Sequence, residues 1–123
     1  MTKEQLEKLK PPDLPGVYQF IGKGNQGKKI LYIGKATSLR DRVRSYFGDD
    51  LLHARGKHMV DMVTLATTLR CIPTDSVLDA VILEAMLIKK YQPLYNTKEK
   101  DDKSWNYVVI TKEDFPKVLT IRE

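Results

Sequence analysis

Two short runs of strand-forming residues, Val17–Ile21 and Lys29–Gly34, stand on either side of a stretch holding Gly22, Gly24, Asn25 and Gly27. Extended segments this close in sequence, parted by turn-forming residues, pair most readily with each other, so the chain is built around a β-hairpin. The rest is punctuated to suit it. Thr2 and Gln5 have the spacing of a capping box for a short helix carrying Leu6 and Leu9 on one face, and Pro11, Pro12 and Pro15 end it. After the hairpin, Ser38 is the N-cap of a helix reaching Phe47, with Leu39, Val43 and Phe47 on its buried stripe. Leu51–Leu65 reads as helical, Thr67–Ile72 as a strand rich in β-branched residues, and Ser76–Tyr91 as a strongly patterned helix stopped by Pro93. A charged loop at Lys98–Lys103 leads to expected strands at Tyr107–Thr111 and Val118–Ile121. These elements predict an α/β domain of the α+β type, a small central and mostly antiparallel sheet flanked by helices. A single domain over residues 1–123 is expected, with its core at about 15–111.

Composition removes several classes of protein. Hydrophobic residues make up 41% and charged residues 30% of the 123, a balance that supports one modest core rather than disorder. Apolar runs such as Ala80–Leu83 are far too short to cross a membrane. Residues 1–10 are charged and lack the apolar stretch of a signal peptide, so a cytoplasmic location is expected. Cys71 is the only cysteine, which excludes an internal disulfide.

The net charge of +5 is unevenly placed. Between Gly22 and Tyr46, seven basic residues (Lys23, Lys28, Lys29, Lys35, Arg40, Arg42, Arg44) face Asp41 alone. A surface of this kind attracts a polyanion through counterion release, and charge alone leaves a merely solvated basic face as an equal alternative.

More telling are polar residues at positions where apolar ones are expected. In the Ser76–Tyr91 helix, Val77, Ala80, Val81, Leu87, Ile88 and Tyr91 follow the helical period, and Glu84 falls in the middle of that stripe. A carboxylate there must be paired, protonated or bound to a metal, because desolvating an unpaired charge costs several kcal/mol. Arg42 and Tyr46 share or border the inward face of the preceding helix, which fits either a buried salt bridge or a phosphate clamp. Tyr18 and Tyr32 lie on the two hairpin strands. Tyrosines in strands usually pack, but Tyr32 is followed by Gly34, where a substrate backbone could approach, and by the ammonium of Lys35. His53 and His58 lack a cysteine or carboxylate cluster of the kind zinc requires.

Gly16-Val17-Tyr18 and Tyr32-Ile33-Gly34 resemble the two halves of the motif that names the GIY-YIG endonucleases, with Val in place of the first central Ile. The similarity continues through Lys35-Ala36, Leu39, Arg42 and Arg44-Ser45-Tyr46, then Ile82-Leu83-Glu84-Ala85 and Leu87-Ile88-Lys89-Lys90-Tyr91. Pro93, Tyr95-Asn96 and Asp101-Asp102-Lys103-Ser104 complete it, in the pattern of the family's UvrC branch. Met86, Asp79 and Trp105-Asn106 depart from that branch's usual residues, and none of them is a position the family uses for chemistry.

The resemblance implies a GIY-YIG nuclease fold and a metal-dependent DNA endonuclease. It implies an active site of Tyr18, Tyr32, Lys35, Arg42, Tyr46, Glu84 and Asn96, with Glu84 as the carboxylate ligand of one Mg²⁺ or Mn²⁺ ion. Tyr18 or Tyr32 would be the base, and Tyr46 and Asn96 would orient water, phosphate or the Glu84 carboxylate. DNA contacts are expected from Lys28, Lys29, Lys35, Arg40, Arg42 and Arg44. The activity implied is incision on the 3′ side of a lesion in nucleotide excision repair, with UvrA- and UvrB-like partners and no membrane. The alternative is a module that binds nucleic acid or protein on the same fold without cutting; it predicts no metal dependence.

Overall fold

The computed structural model describes residues 1–48 and 51–97, so the expected loop at Lys98–Lys103, the strands at Tyr107–Thr111 and Val118–Ile121, and the motif segments at 101–106 lie outside the described residues. Helix α1 (Lys3–Leu9) opens with the capping box: the Thr2 hydroxyl accepts from Gln5 N–H at 3.2 Å, and the Gln5 side chain accepts from Thr2 N–H at 2.8 Å. Leu6 is buried, whereas Leu9 is exposed and does not share its role.

The hairpin pairs β1 (Gly16–Gly24) with β2 (Gly27–Ala36), both longer than the sequence predicts. Only Asn25 and Gln26 form the turn, and Gly27 supplies the positive φ of 109° that completes it. The last strand, β3 (Thr68–Pro73), pairs antiparallel with the other side of β1, giving the order β2-β1-β3. Among the described residues the sheet is thus three-stranded and antiparallel with helices against it, the α+β architecture expected.

Alternation along the strands gives the sheet two unlike faces. One carries Tyr18, Phe20 and Tyr32, packed against Leu39, Val43, Tyr46, Met59 and Met62. These come from α2 (Leu39–Arg44), the 3₁₀ turn Ser45–Phe47 that follows it, and α4 (Lys57–Leu65). The other face carries Val17 and Ile33 against α5 (Val77–Tyr91). The register shifts between Phe20 and Ile21, where β2 holds an extra residue, Leu31. This bulge leaves Leu31 in the first core and Ile30 against the second.

Two helices depart from their sequence reading. The stretch expected to be one helix breaks into α3 (Leu51–Arg55) and α4 at Gly56, whose φ of 92° a residue with a side chain adopts only under strain. In α5 the face toward the sheet is Ala80, Leu83, Leu87 and Ile88, while Val77, Val81 and Tyr91 are exposed. The small Ala80 lets the helix approach Val17 and Ile33 closely, which rotates Val77 and Val81 outward.

Candidate active site at the edge of the sheet

Among the described residues β2 is an edge strand, so groups from both faces of the sheet can meet around its rim. An open cavity of about 820 Å³ lies there, and Tyr18, Tyr32, Lys35, Arg42, Glu84 and Asn96 all line it. Tyr32 reaches it from the aromatic face, and Lys35, three residues on, from the α5 face. Ser76 caps α5 by accepting from Asp79 N–H, and two turns later Glu84 borders the buried line with its side chain 20% exposed. Lys35 Nζ lies 3.7 Å from Glu84 Oε1. The carboxylate anticipated in mid-stripe therefore sits at the stripe's edge, paired, and open to the cavity.

Ser38 caps α2 through Asp41 N–H, and the 3₁₀ turn then swings Tyr46 inward. The Tyr46 and Tyr18 hydroxyls share a buried 2.6 Å hydrogen bond. Burial, followed by the charges of Tyr18 and Tyr32, drives the Tyr46 phenol far above the ordinary tyrosine value, with Arg55 opposing. Arg42 is exposed on the same wall. Burial of its guanidinium works against its charge, but the Tyr18 and Tyr46 phenols outweigh this and raise its pKa.

Both motif glycines are explained by packing. A Cβ on Gly34 would collide with the hydroxyl and ring of Tyr18, so the space expected to admit a substrate backbone is taken by that phenol. A Cβ on Gly16 would run into the Ile72 carbonyl, and would lie 2.8 Å from a Leu39 methyl and 2.9 Å from Pro73 Cα.

Asn96 lines the cavity and is also tied to the β2 backbone. From the helical turn at 94–97 its amide accepts from Ile33 N–H at 2.9 Å and donates to Ile33 C=O at 2.9 Å. It thereby completes the hydrogen bonding of the β2 edge as a neighbouring strand would.

The basic residues of the hairpin and α2 do not all line the same cavity. Lys35 and Arg42 line the cavity; Lys28 and Lys29 are exposed nearer the turn and do not. Arg40 pairs with Asp13 at 3.1 Å and Asp41 at 3.3 Å, and with Arg44 it lines a different cavity against α1. His53, Arg55, Lys57 and His58, around the α3–α4 break, also line the cavity, and the sequence reading had not placed them in the site. Their only signal was a basic run at a glycine, which resembles any solvated helix end.

The donor set suits a particular kind of metal. Among the described residues no three His, Cys, Asp or Glu side chains cluster, so a zinc-type centre has no ligands there. One carboxylate beside an open, basic cavity fits a hard divalent cation that keeps waters and takes phosphate oxygens.

An antiparallel three-stranded sheet with paired tyrosines, an arginine and a lone glutamate at its edge defines a GIY-YIG endonuclease domain. Residues 14–97 match the family model described as a UvrC-like GIY-YIG domain. The chain is 48% identical over 112 residues to the UvrABC system protein C of Prosthecochloris aestuarii, and 44% identical over 122 residues to that of Pelodictyon phaeoclathratiforme. These alignments cover 91% and 98% of the chain but only 17% and 19% of the relatives. It also resembles the crystal structure of the N-terminal GIY-YIG endonuclease domain of UvrC from Thermotoga maritima, which is bound to its catalytic magnesium. That match has 39% identity and a TM-score of 0.64, and covers 78% of this chain and 99% of the other. The chain belongs to the UvrC-like GIY-YIG family of endonuclease domains.

Proposed function

We propose that this domain hydrolyses one DNA phosphodiester with the help of a single Mg²⁺ or Mn²⁺ ion held by Glu84, and that it makes the 3′-side incision of nucleotide excision repair. The observation that carries this is the convergence of Tyr32, Lys35, Arg42 and Glu84 on one open cavity at the β2 edge. The similar domain from Thermotoga maritima supports the metal. The UvrABC system to which the similar relatives belong supports UvrA- and UvrB-like partners that present the DNA.

When bound, the cation stabilises the charge that builds on the phosphate and on the leaving 3′ oxygen. Arg42 reaches the phosphate from the α2 wall and stabilises the five-coordinate transition state with charge-assisted hydrogen bonds. Lys35, 49% exposed, serves the phosphate as well as Glu84. Exposed Lys28 and Lys29 meet flanking phosphates.

Of the two candidate bases Tyr32 is favoured. Both rings are buried; the Tyr18 hydroxyl is paired with the Tyr46 phenol at 2.6 Å, whereas the Tyr32 hydroxyl accepts a hydrogen bond from the Arg55 guanidinium at 3.1 Å. As water attacks phosphorus, Tyr32 takes its proton, the bond from phosphorus to the 3′ oxygen breaks, and that oxygen collects a proton from solvent. The products are a 5′-phosphate and a 3′-hydroxyl. Tyr18 and Tyr46 act as the packed base of the site.

Nicking of supercoiled plasmid with Mn²⁺ or Mg²⁺ tests this. EDTA and Glu84→Gln should each abolish nicking while the circular dichroism of the variant matches wild type. Cleavage by Glu84→Gln at the wild-type rate would remove the metal-ligand assignment.

A further inference from the structure

The helix break at Gly56 has a consequence for Tyr32. Because the backbone there takes a φ of 92°, α3 ends and Arg55 turns toward the aromatic cluster instead of continuing along α4. Its guanidinium does two things at once. Nη2 donates to the Tyr32 hydroxyl at 3.1 Å, and Cζ stands 5.1 Å from the centroid of the Tyr46 ring and 6.0 Å from that of Tyr32. The Tyr46 ring is itself fixed, edge-on to Tyr18 and Phe20 at 5.6 and 5.0 Å. A planar cation braced on one anchored ring and bonded to the hydroxyl of another sets the direction in which that hydroxyl points.

Ring packing alone does not do this for Tyr32. Its neighbours Tyr18 and Tyr46 lie at 6.3 and 6.5 Å in tilted arrangements, which locate the ring plane and do not by themselves set the direction of the hydroxyl. Arg55 also lies outside every segment carrying the family motif, all of which fall before residue 48 or after residue 81.

We propose that Arg55 is a positioning residue for the nuclease reaction: braced on Tyr46, it aims the Tyr32 hydroxyl at the attacking water and contributes little to holding DNA. The proposal rests on the reading of Tyr32 as the base. A positioning error of about 1 Å costs on the order of a hundredfold in rate without altering binding, and this separates the role from that of a phosphate-binding arginine.

The test compares wild type, Arg55→Gln, Arg55→Lys, Tyr32→Phe and Glu84→Gln in Mn²⁺-dependent plasmid nicking, with DNA affinity measured in Ca²⁺ and each fold checked by thermal unfolding. Arg55→Gln should lower kcat about 10- to 100-fold with KM and DNA affinity within about twofold of wild type, and Arg55→Lys, which keeps a donor, should recover part of kcat. A second readout needs neither metal nor DNA. In protein labelled with ¹³C-tyrosine, the ring signal assigned by its loss in Tyr32→Phe should shift or broaden in Arg55→Gln and move back in Arg55→Lys.

An Arg55→Gln loss expressed in KM and DNA affinity would make Arg55 a phosphate contact and overturn the proposal, as would an unmoved Tyr32 signal. Undiminished cleavage by Tyr32→Phe and Glu84→Gln would instead overturn the assignment of base and metal ligand beneath it. If both are inactive while Arg55→Gln cuts normally, only the positioning role falls.

Discussion

The phenol of Tyr18 occupies the volume that a side chain at Gly34 would need, across a directly paired position of the β1–β2 ladder. The two halves of the hairpin motif are therefore one packing unit, and the glycine of the second half serves the tyrosine of the first. Tyr18 in turn holds Tyr46, so an error at position 34 travels through both phenols to the cavity.

Gly34→Ala should consequently destabilise the fold by about 1–3 kcal/mol, the usual cost of overpacking a tight core, and lower nicking at least tenfold. Urea unfolding of the variant measures the first effect. A wild-type midpoint would show that Tyr18 moves aside without cost.

Asn96→Ala removes a donor and an acceptor from the Ile33 peptide and should cost about 1–3 kcal/mol. Asn96→Asp keeps the acceptor and loses the donor, so its midpoint should fall between the two. The slowing of amide hydrogen exchange at Ile33 should decline in the same order, and unchanged exchange in Asn96→Ala would dismiss the edge-capping role.

The two arginines on α2 should separate cleanly. Arg42→Gln, on the cavity wall, should reduce kcat by about 10²-fold or more. Arg40→Gln, whose guanidinium is engaged by Asp13 and Asp41, should change nicking by less than about threefold, in keeping with the small worth of exposed ion pairs. Equal losses in the two variants would restore the broad basic patch that the sequence suggests.

Stability should fall in alkali for a reason that can be localised. Tyr46 has its phenol pKa raised by burial, so its contribution is complete below the ordinary tyrosine value near ~10 and is lost as pH rises past it. Burial likewise pushes the Cys71 thiol up to about 11, and its contribution fades as pH rises from the ordinary thiol range toward that value. Urea midpoints should therefore hold from pH 7 to about 8.5 and then decline. Tyr46→Phe should decline less steeply above pH 10, and parallel curves would contradict the assignment.

What the sequence revealed followed the range of the interactions involved. The caps at Thr2 and Ser38 act on N–H groups three residues away, and both were legible. Glu84 was legible as a carboxylate against an apolar line. The sheet-facing side of α5 was misjudged because Val77, Leu78, Val81, Ile82 and Met86 make that helix apolar on most sides, so the period does not single out one face. The roles of Asn96 and Gly34 depend on partners 63 and 16 positions away, and no local pattern encodes them. Arg55 was hidden by a single backbone angle at Gly56.

The placement of the candidate site in an open cavity at the rim of a sheet bears on how a substrate would be chosen. A rim with lysine, arginine and a carboxylate can meet the sugar–phosphate strand on the outside of a duplex, where every nucleotide looks alike and none has to leave the stack. On the proposed reading, such a rim would not itself discriminate between sequences, and the choice of site would fall to whatever holds the DNA against it.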